Sequence, residues 1–222
     1  MKKNLQTLLL STLLIAGANS VAQNINNSGS SLITKSSVGA KPVGSQYFND
    51  NYAPANIKDM GITMIKYNAY LDQIELKSAV DQTAVLNVEE GLVIATTDRR
   101  NAYEFVTYVT DENETVKGYL NLISNNSHVK IYERLRVFLQ PETDTKSGYE
   151  AYKPPTYKKA NAKYFIKVDG GQIVQFNKKK ELFKLFPGKE KEINAYISSN
   201  KISFSDEADL SKLGTYLDTL MG

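Results

Sequence analysis

Residues 116–139 read VKGYLNLISNNSHVKIYERLRVFL, two runs of β-branched and aromatic residues parted by Ser124-Asn125-Asn126-Ser127. In the second run Val129, Ile131, Leu135, Val137 and Leu139 fall on one face, interrupted by Glu133, while Lys130, Tyr132, Arg134 and Arg136 fall on the other. Alternation with a period of two marks a strand with one face on the core and one in water, and the Ser/Asn cluster supplies the turn. The stretch predicts strands over Val116–Ile123 and Val129–Leu139, paired antiparallel.

Working outward, the same texture extends toward the N-terminus through Ile62–Tyr67, Leu71–Leu76, Thr83–Val88, Leu92–Thr97 and Tyr103–Thr110, with turn chemistry at Glu89-Glu90-Gly91 and Asp111-Glu112-Asn113-Glu114. Toward the C-terminus, Gln140–Asn161 holds Pro141, Pro154, Pro155 and Gly148, and reads as a long loop. A hairpin follows, Lys163–Val168 and Gln172–Phe176 around Asp169-Gly170-Gly171. Helical periodicity then takes over. Leu182, Phe183, Leu185 and Phe186 form one stripe, Ile193, Tyr196 and Ile197 a second, and Leu210, Leu213, Leu217 and Leu220 a third that Ser205 would cap. The expected fold is α+β: an antiparallel β-rich body, a sandwich or curved sheet, over 46–176, including the loop 140–161, then a helical unit over 177–222.

The first 22 residues have a different character. Lys2 and Lys3 precede an apolar run from Leu5 to Ala18 and a small-x-small site, Ser20-Val21-Ala22. This is the pattern of a secretory signal peptide cleaved before Gln23, leaving an exported chain, periplasmic or extracellular, without a membrane span. Residues 23–45, rich in Asn, Ser and Gly, are expected to form a flexible mature N-terminus.

Composition limits the chemistry. The chain has no cysteine and one histidine, His128, so thiol catalysis, disulfides and thiolate metal sites are excluded, and a histidine-based nucleophilic mechanism would depend on that residue. No cofactor and no metal are expected: the oxygen-rich Asp111–Glu114 lacks the spacing of a calcium loop. Asp72 and Glu75, three apart, would lie on opposite faces of a strand, against joint work as a carboxylate pair. Residues 146–222 carry 14 Lys/Arg against 9 Asp/Glu, while residues 23–145 carry 11 against 15. A lysine-rich pole on an exported chain suits an envelope protein, a glycan or an anionic polymer as partner, and export argues against nucleic acid.

Two groups of candidate binding residues emerge. Tyr149, Tyr152 and Tyr157 with Lys153, Lys158 and Lys159 set aromatic rings beside ammonium groups on a proline-stiffened loop, able to stack on a sugar and hold an anion. Arg99 and Arg100, and Lys178, Lys179 and Lys180, are candidate anion-binding clusters; the three lysines open a helix, where their charge opposes the dipole. The functional reading is a non-enzymatic binding module. A carboxylate- and tyrosine-based hydrolase or isomerase and a purely structural interaction protein stand as alternatives.

Lys66-Tyr67-Asn68-Ala69-Tyr70-Leu71-Asp72-Gln73-Ile74-Glu75-Leu76 resembles one segment, and Phe186-Pro187-Gly188-Lys189 through Asn200-Lys201-Ile202-Ser203-Phe204 to Leu210 another, of a family of uncharacterised exported proteins from Bacteroidota-type bacteria. The Gly148–Lys159 loop has a similar G-Y…KP pattern in that family. Leu71 and Gln73 stand where it usually has polar and acidic residues, and Thr215-Tyr216-Leu217-Asp218 replaces its terminal Tyr-Tyr-Asn. The resemblance implies export and carries no activity, cofactor or catalytic residue.

Overall fold

Twelve strands and three helices make up the described residues, which in this computed structural model are 40–58, 60–77, 83–87, 89–143 and 151–222. The segment 1–22 expected to be a signal peptide, residues 23–39 and Tyr149 lie outside them. Strands β1 (Ala53–Ile57), β2 (Gly61–Asn68), β3 (Gln73–Lys77) and β4 (Thr83–Val85) form an antiparallel meander. Then come β5 (Val93–Ala95), β6 (Ala102–Val109), β7 (Thr115–Asn125), β8 (Val129–Arg134), a separate hairpin β9 (Val137–Gln140) and β10 (Thr156–Lys159), and β11 (Lys163–Val168) and β12 (Ile173–Phe176). Helices α1 (Lys179–Leu185), α2 (Glu190–Ser199) and α3 (Glu207–Thr219) end the chain. None is long and apolar enough to cross a membrane.

The second sheet closes on itself. Its order is β12-β11-β8-β7-β6-β5, and the first five strands close as β12 returns to pair with β6 in parallel at Ile173–Tyr108 and Val174–Val109. Parity requires this: successive antiparallel strands alternate in direction, so the first and fifth run the same way and can meet only in parallel. Val106, Tyr108, Leu120, Tyr132, Phe165 and Ile173 fill the barrel, with the Tyr108 and Phe165 rings edge to face at 4.8 Å. Glu104, buried among them, accepts from the Tyr132 hydroxyl at 3.1 Å and has Lys130 Nζ at 3.7 Å. Burial, then the Glu104 charge, pushes the Tyr132 hydroxyl well above its usual range, so it stays a donor.

Both outer sides of the barrel are covered. Val129, Ile131, Tyr164 and Ile166 pack against Leu182, Ile193, Leu210, Leu213 and Leu217 of the helices. Tyr103 and Tyr119 pack with Ile65, Tyr67 and Ile74 of the meander. Where α3 meets the barrel, β7 carries a bulge between Leu122 and Ser124, and Gly214 comes so close that a Cβ there would lie 2.9 Å from Ser124 Cβ and 3.0 Å from Ile131 Cδ1. The carboxylate of Asp218, in the last turn of α3, receives the backbone N–H groups of His128 and Val129 at 2.7 and 2.9 Å.

Several expectations need correction. The strand expected over Val129–Leu139 breaks at Leu135-Arg136, because the chain leaves the barrel there and Arg136 turns inward to an ion pair. Tyr132, assigned to a wet face, is fully buried, because the interior of a closed barrel is as dry as the side under the helices. The expected loop 140–161 contains β10, which pairs with β9. Residues 40–45, counted with the flexible N-terminus, are anchored: Val43 N–H donates to Pro155 O and Tyr157 N–H to Val43 O, each at 2.8 Å. β1 has no counterpart among the expected strands. The cap of α3 is Asp206, whose side chain accepts from Asp209 N–H at 2.9 Å, one residue beyond Ser205.

Across the strands, Tyr103, Asn121, Glu133 and Tyr164 stand in register as one row. Burial chiefly, and the charge of Glu207 next, raise the Glu133 carboxyl above its ordinary 4.5, with a hydrogen bond from Asn121 opposing. A raised carboxyl binds its proton more tightly in the folded than in the unfolded chain, so its contribution is full below 4.5 and is lost as pH rises through the folded value. Glu133→Gln is therefore expected to raise the melting temperature at pH 7 and to have little effect at pH 4 (about the ordinary carboxyl value). Thermal unfolding of both proteins at the two pH values checks this, and an equal shift at both would reject it.

Candidate functional site

The segment Lys66–Leu76 organises two polar networks. Asp72 sits in the β2–β3 turn with φ 56°, a left-handed conformation that Asp tolerates. Its carboxylate accepts from Arg136 Nη2 and the Tyr67 hydroxyl, both at 2.7 Å, and from Tyr119 N–H at 3.3 Å. Arg136 also donates to the Tyr67 hydroxyl and to Leu135 O. A Cβ at Gly118 would run into the Asp72 carboxylate, which is why the barrel strand carries glycine where this turn docks. Burial pushes the Tyr67 hydroxyl well above its usual range, against the pull of Arg136, which makes it a fixed donor.

The second network surrounds Glu75, which is buried. Its oxygens accept from Tyr47 OH at 2.7 Å and Asn68 Nδ2 at 2.8 Å. Burial first, then Glu75, pushes the Tyr47 hydroxyl up to about 12. Lys66, the cross-strand neighbour of Glu75, holds its Nζ 3.6 Å above the Tyr47 ring and 4.6 Å from that of Tyr52. Asp72 and Glu75 thus serve different networks rather than converging on a shared substrate position.

Tyr47 belongs to a strap, residues 40–52, laid across the β2–β3 face that carries Lys66, Asn68 and Glu75. It is pinned at Val43, by the Tyr47–Asn68 bridge and by Tyr70 N–H to Gln46 O at 3.1 Å. Concave surface lies along it. One stretch is lined by Lys41, Pro42, Gln46, Tyr47 and Tyr157. Another is lined by Phe48, Asn49, Asn51, Asn101, Tyr103 and Lys159 and continues to Lys66 and Thr96. Asp50 borders both of the stretches that make up the groove along the strap. Lys159 Nζ stands 4.5 Å over the Phe48 ring. Burial pushes the Tyr103 hydroxyl up to about 12.

Of the residues singled out in the sequence, the groove takes Tyr157 and Lys159. Tyr157 is half-buried, its ring edge-on to Tyr70 at 5.1 Å. Lys158, between them, falls on the opposite face of β10 beside Phe138. Tyr152 donates to Glu142 at 2.8 Å and Lys153 pairs its backbone with Thr143, away from the groove toward the far end of the β9–β10 hairpin. Arg99 and Arg100 occupy the turn between β5 and β6; Arg100 Nε is 3.5 Å from Asp98, and the same turn delivers Asn101 to the groove. Lys178, Lys179 and Lys180 lie at the start of α1, on the helical unit. There Glu181 accepts the N–H of Lys178 at 3.1 Å and Lys179 Nζ donates to Asn194 at 2.7 Å, offsetting the unfavourable charge at that terminus. His128 pairs with Asp169 at 2.8 Å, in the exposed turns flanking the barrel strands.

Asn49, Asn51, Asn101, Lys66 and Tyr103 belong to the groove without standing out as binding residues in the sequence. The available signal was the density of amides in Phe48-Asn49-Asp50-Asn51-Tyr52, flanked by rings. Each carboxamide offers a donor pair and an acceptor, and three around one cleft match the vicinal hydroxyls of a sugar. No protein-family model, curated protein or solved structure matches the chain, so the groove is read from its own geometry.

Proposed function

We propose that this chain is an exported, non-enzymatic binding module of the bacterial cell envelope, and that it holds a glycan chain in the groove along the strap. Export rests on the Lys2/Lys3, apolar and Ser20-Val21-Ala22 pattern and on the resemblance of Lys66–Leu76 and Phe186–Leu210 to exported Bacteroidota-type proteins. One observation carries the binding reading. Asn49, Asn51 and Asn101, from two separate parts of the chain, line a single cleft in which the described residues place one carboxylate, Asp50. Polar groups of both hydrogen-bonding senses gathered without a second acid suit recognition of hydroxyls better than glycosyl hydrolysis, which needs two carboxyl groups about the scissile bond.

Isothermal titration of residues 23–222 with a panel of soluble oligosaccharides tests it. Saturable binding is expected, and its loss in the Asn49→Ala/Asn101→Ala variant with an unchanged melting temperature. Shortened products on chromatography of the titrated mixture would overturn the non-enzymatic reading, and binding indifferent to the two substitutions would overturn the site.

A further inference from the structure

We infer that the groove takes an acidic saccharide, one that carries carboxylates. This rests on the groove being a saccharide site, and adds the charge of the ligand. The basis is three lysines that line it: Lys41 in the first stretch, Lys159 in the second, and Lys66, which lines the continuation while its ammonium rests on the ring of Tyr47, a residue of the first.

None of the three has a carboxylate within ion-pair distance among the described residues, as Lys117 has in Glu90 at 2.8 Å, and in this they resemble most of the described lysines; what sets Lys66 and Lys159 apart is the ring each rests on. Lys66 faces Glu75 across the strand pair, but the Glu75 oxygens are engaged by Tyr47 and Asn68, and the ammonium rests on the Tyr47 ring instead. Lys159 rests likewise on Phe48. A ring holds an ammonium in place and removes water from one side while leaving its charge uncancelled; Lys159 has one such ring, and Lys66 has two, Tyr47 and Tyr52. Asp50 is the opposing charge, and its carboxylate already receives the Ser45 hydroxyl.

Ammonium groups seated on rings beside three carboxamides fit a saccharide that carries carboxylates, the lysines taking the anions and the amides the hydroxyls.

The test compares two probes that share a backbone and differ in charge: hexagalacturonate and its full methyl ester. By titration calorimetry the acid is expected to bind about tenfold more tightly than the ester or better, and the advantage is expected to vanish in about 1 M NaCl, where exposed charges are screened. Lys41→Gln and Lys159→Gln, both at exposed positions, are expected to bring the acid down to the affinity of the ester without moving the melting temperature. Equal binding of acid and ester, lost in Asn49→Ala/Asn101→Ala, would overturn the acidic ligand and leave the saccharide site standing. Tight binding of the acid that neither lysine substitution weakens would overturn the assignment of its charge to this groove. Binding of neither hexamer would overturn both readings.

Discussion

Arg136→Met is expected to lower the stability of residues 23–222 by about 3 kcal/mol, the low end of the cost of removing one partner from a buried ion pair. The arginine is a polar link between the meander and the barrel. From the break between β8 and β9 its guanidinium reaches Asp72 in the β2–β3 turn, Tyr67 on β2 and a carbonyl of its own segment. Its side chain and that of Asp72 are only 20 and 23 % exposed, so water replaces little of what is lost. Without it the Asp72 carboxylate stays pressed against Gly118 with only neutral donors, and Tyr67 loses the cation that opposed its burial. For a chain of this size the fall corresponds to roughly 6–12 °C in melting temperature. Asp72→Asn in the Arg136→Met background should restore part of it, since the uncompensated charge is then gone. A drop under about 2 °C for Arg136→Met would show that the ion pair is not what holds the meander to the barrel.

Gly214→Val should cost about as much by a different route. The α3 backbone approaches the β7 bulge so closely that even one added carbon meets Ser124 and Ile131 within 3.0 Å. Two more carbons would force the helix outward, and overpacking of this kind costs about 1–3 kcal/mol. Because Asp218 on the same helix holds the N–H groups of His128 and Val129, the displacement would also loosen the β7–β8 turn. Urea denaturation should show the loss, while Thr215→Val, one residue away on the exposed side of α3, should change stability by less than about 0.5 kcal/mol. Similar values for the two substitutions would reject the close-packed seam.

These two contacts illustrate which parts of the structure local pattern could reveal. The turn at Asp169-Gly170-Gly171 and the stripe Leu210, Leu213, Leu217 and Leu220 are short-range signals, and both appear: φ is 47° at Asp169 and 74° at Gly170, the first three leucines are fully buried, and Leu220 is half-buried against the same cluster. The antiparallel body and the helical end were legible for the same reason. Barrel closure was not, because it depends on β6 meeting β12 across the intervening strands, which no periodicity within either one encodes. Tyr132 was misassigned on that account: in an open sheet the face opposite Val129 and Ile131 would be wet. The groove was equally hidden. Asn49, Asn51 and Asn101 have the composition of turns, and only the path of the strap brings them together, while Tyr152 and Tyr157 are close in sequence and are carried apart by the β9–β10 hairpin.

Odd-numbered closure bears on how this polypeptide behaves in a crowd of its own copies. An unpaired strand edge is a template on which another chain can add, and long exposed edges invite self-association. Here β12 occupies one end of the β6 edge and β5 the other. The flank of β5 meets β1, through Ala55–Thr96 and Thr97 N–H to Pro54 O at 2.8 Å. The edges left in the meander belong to β1, which carries Pro54, and to β4, only three residues long, and neither offers a run of donors on which a neighbour could propagate a sheet.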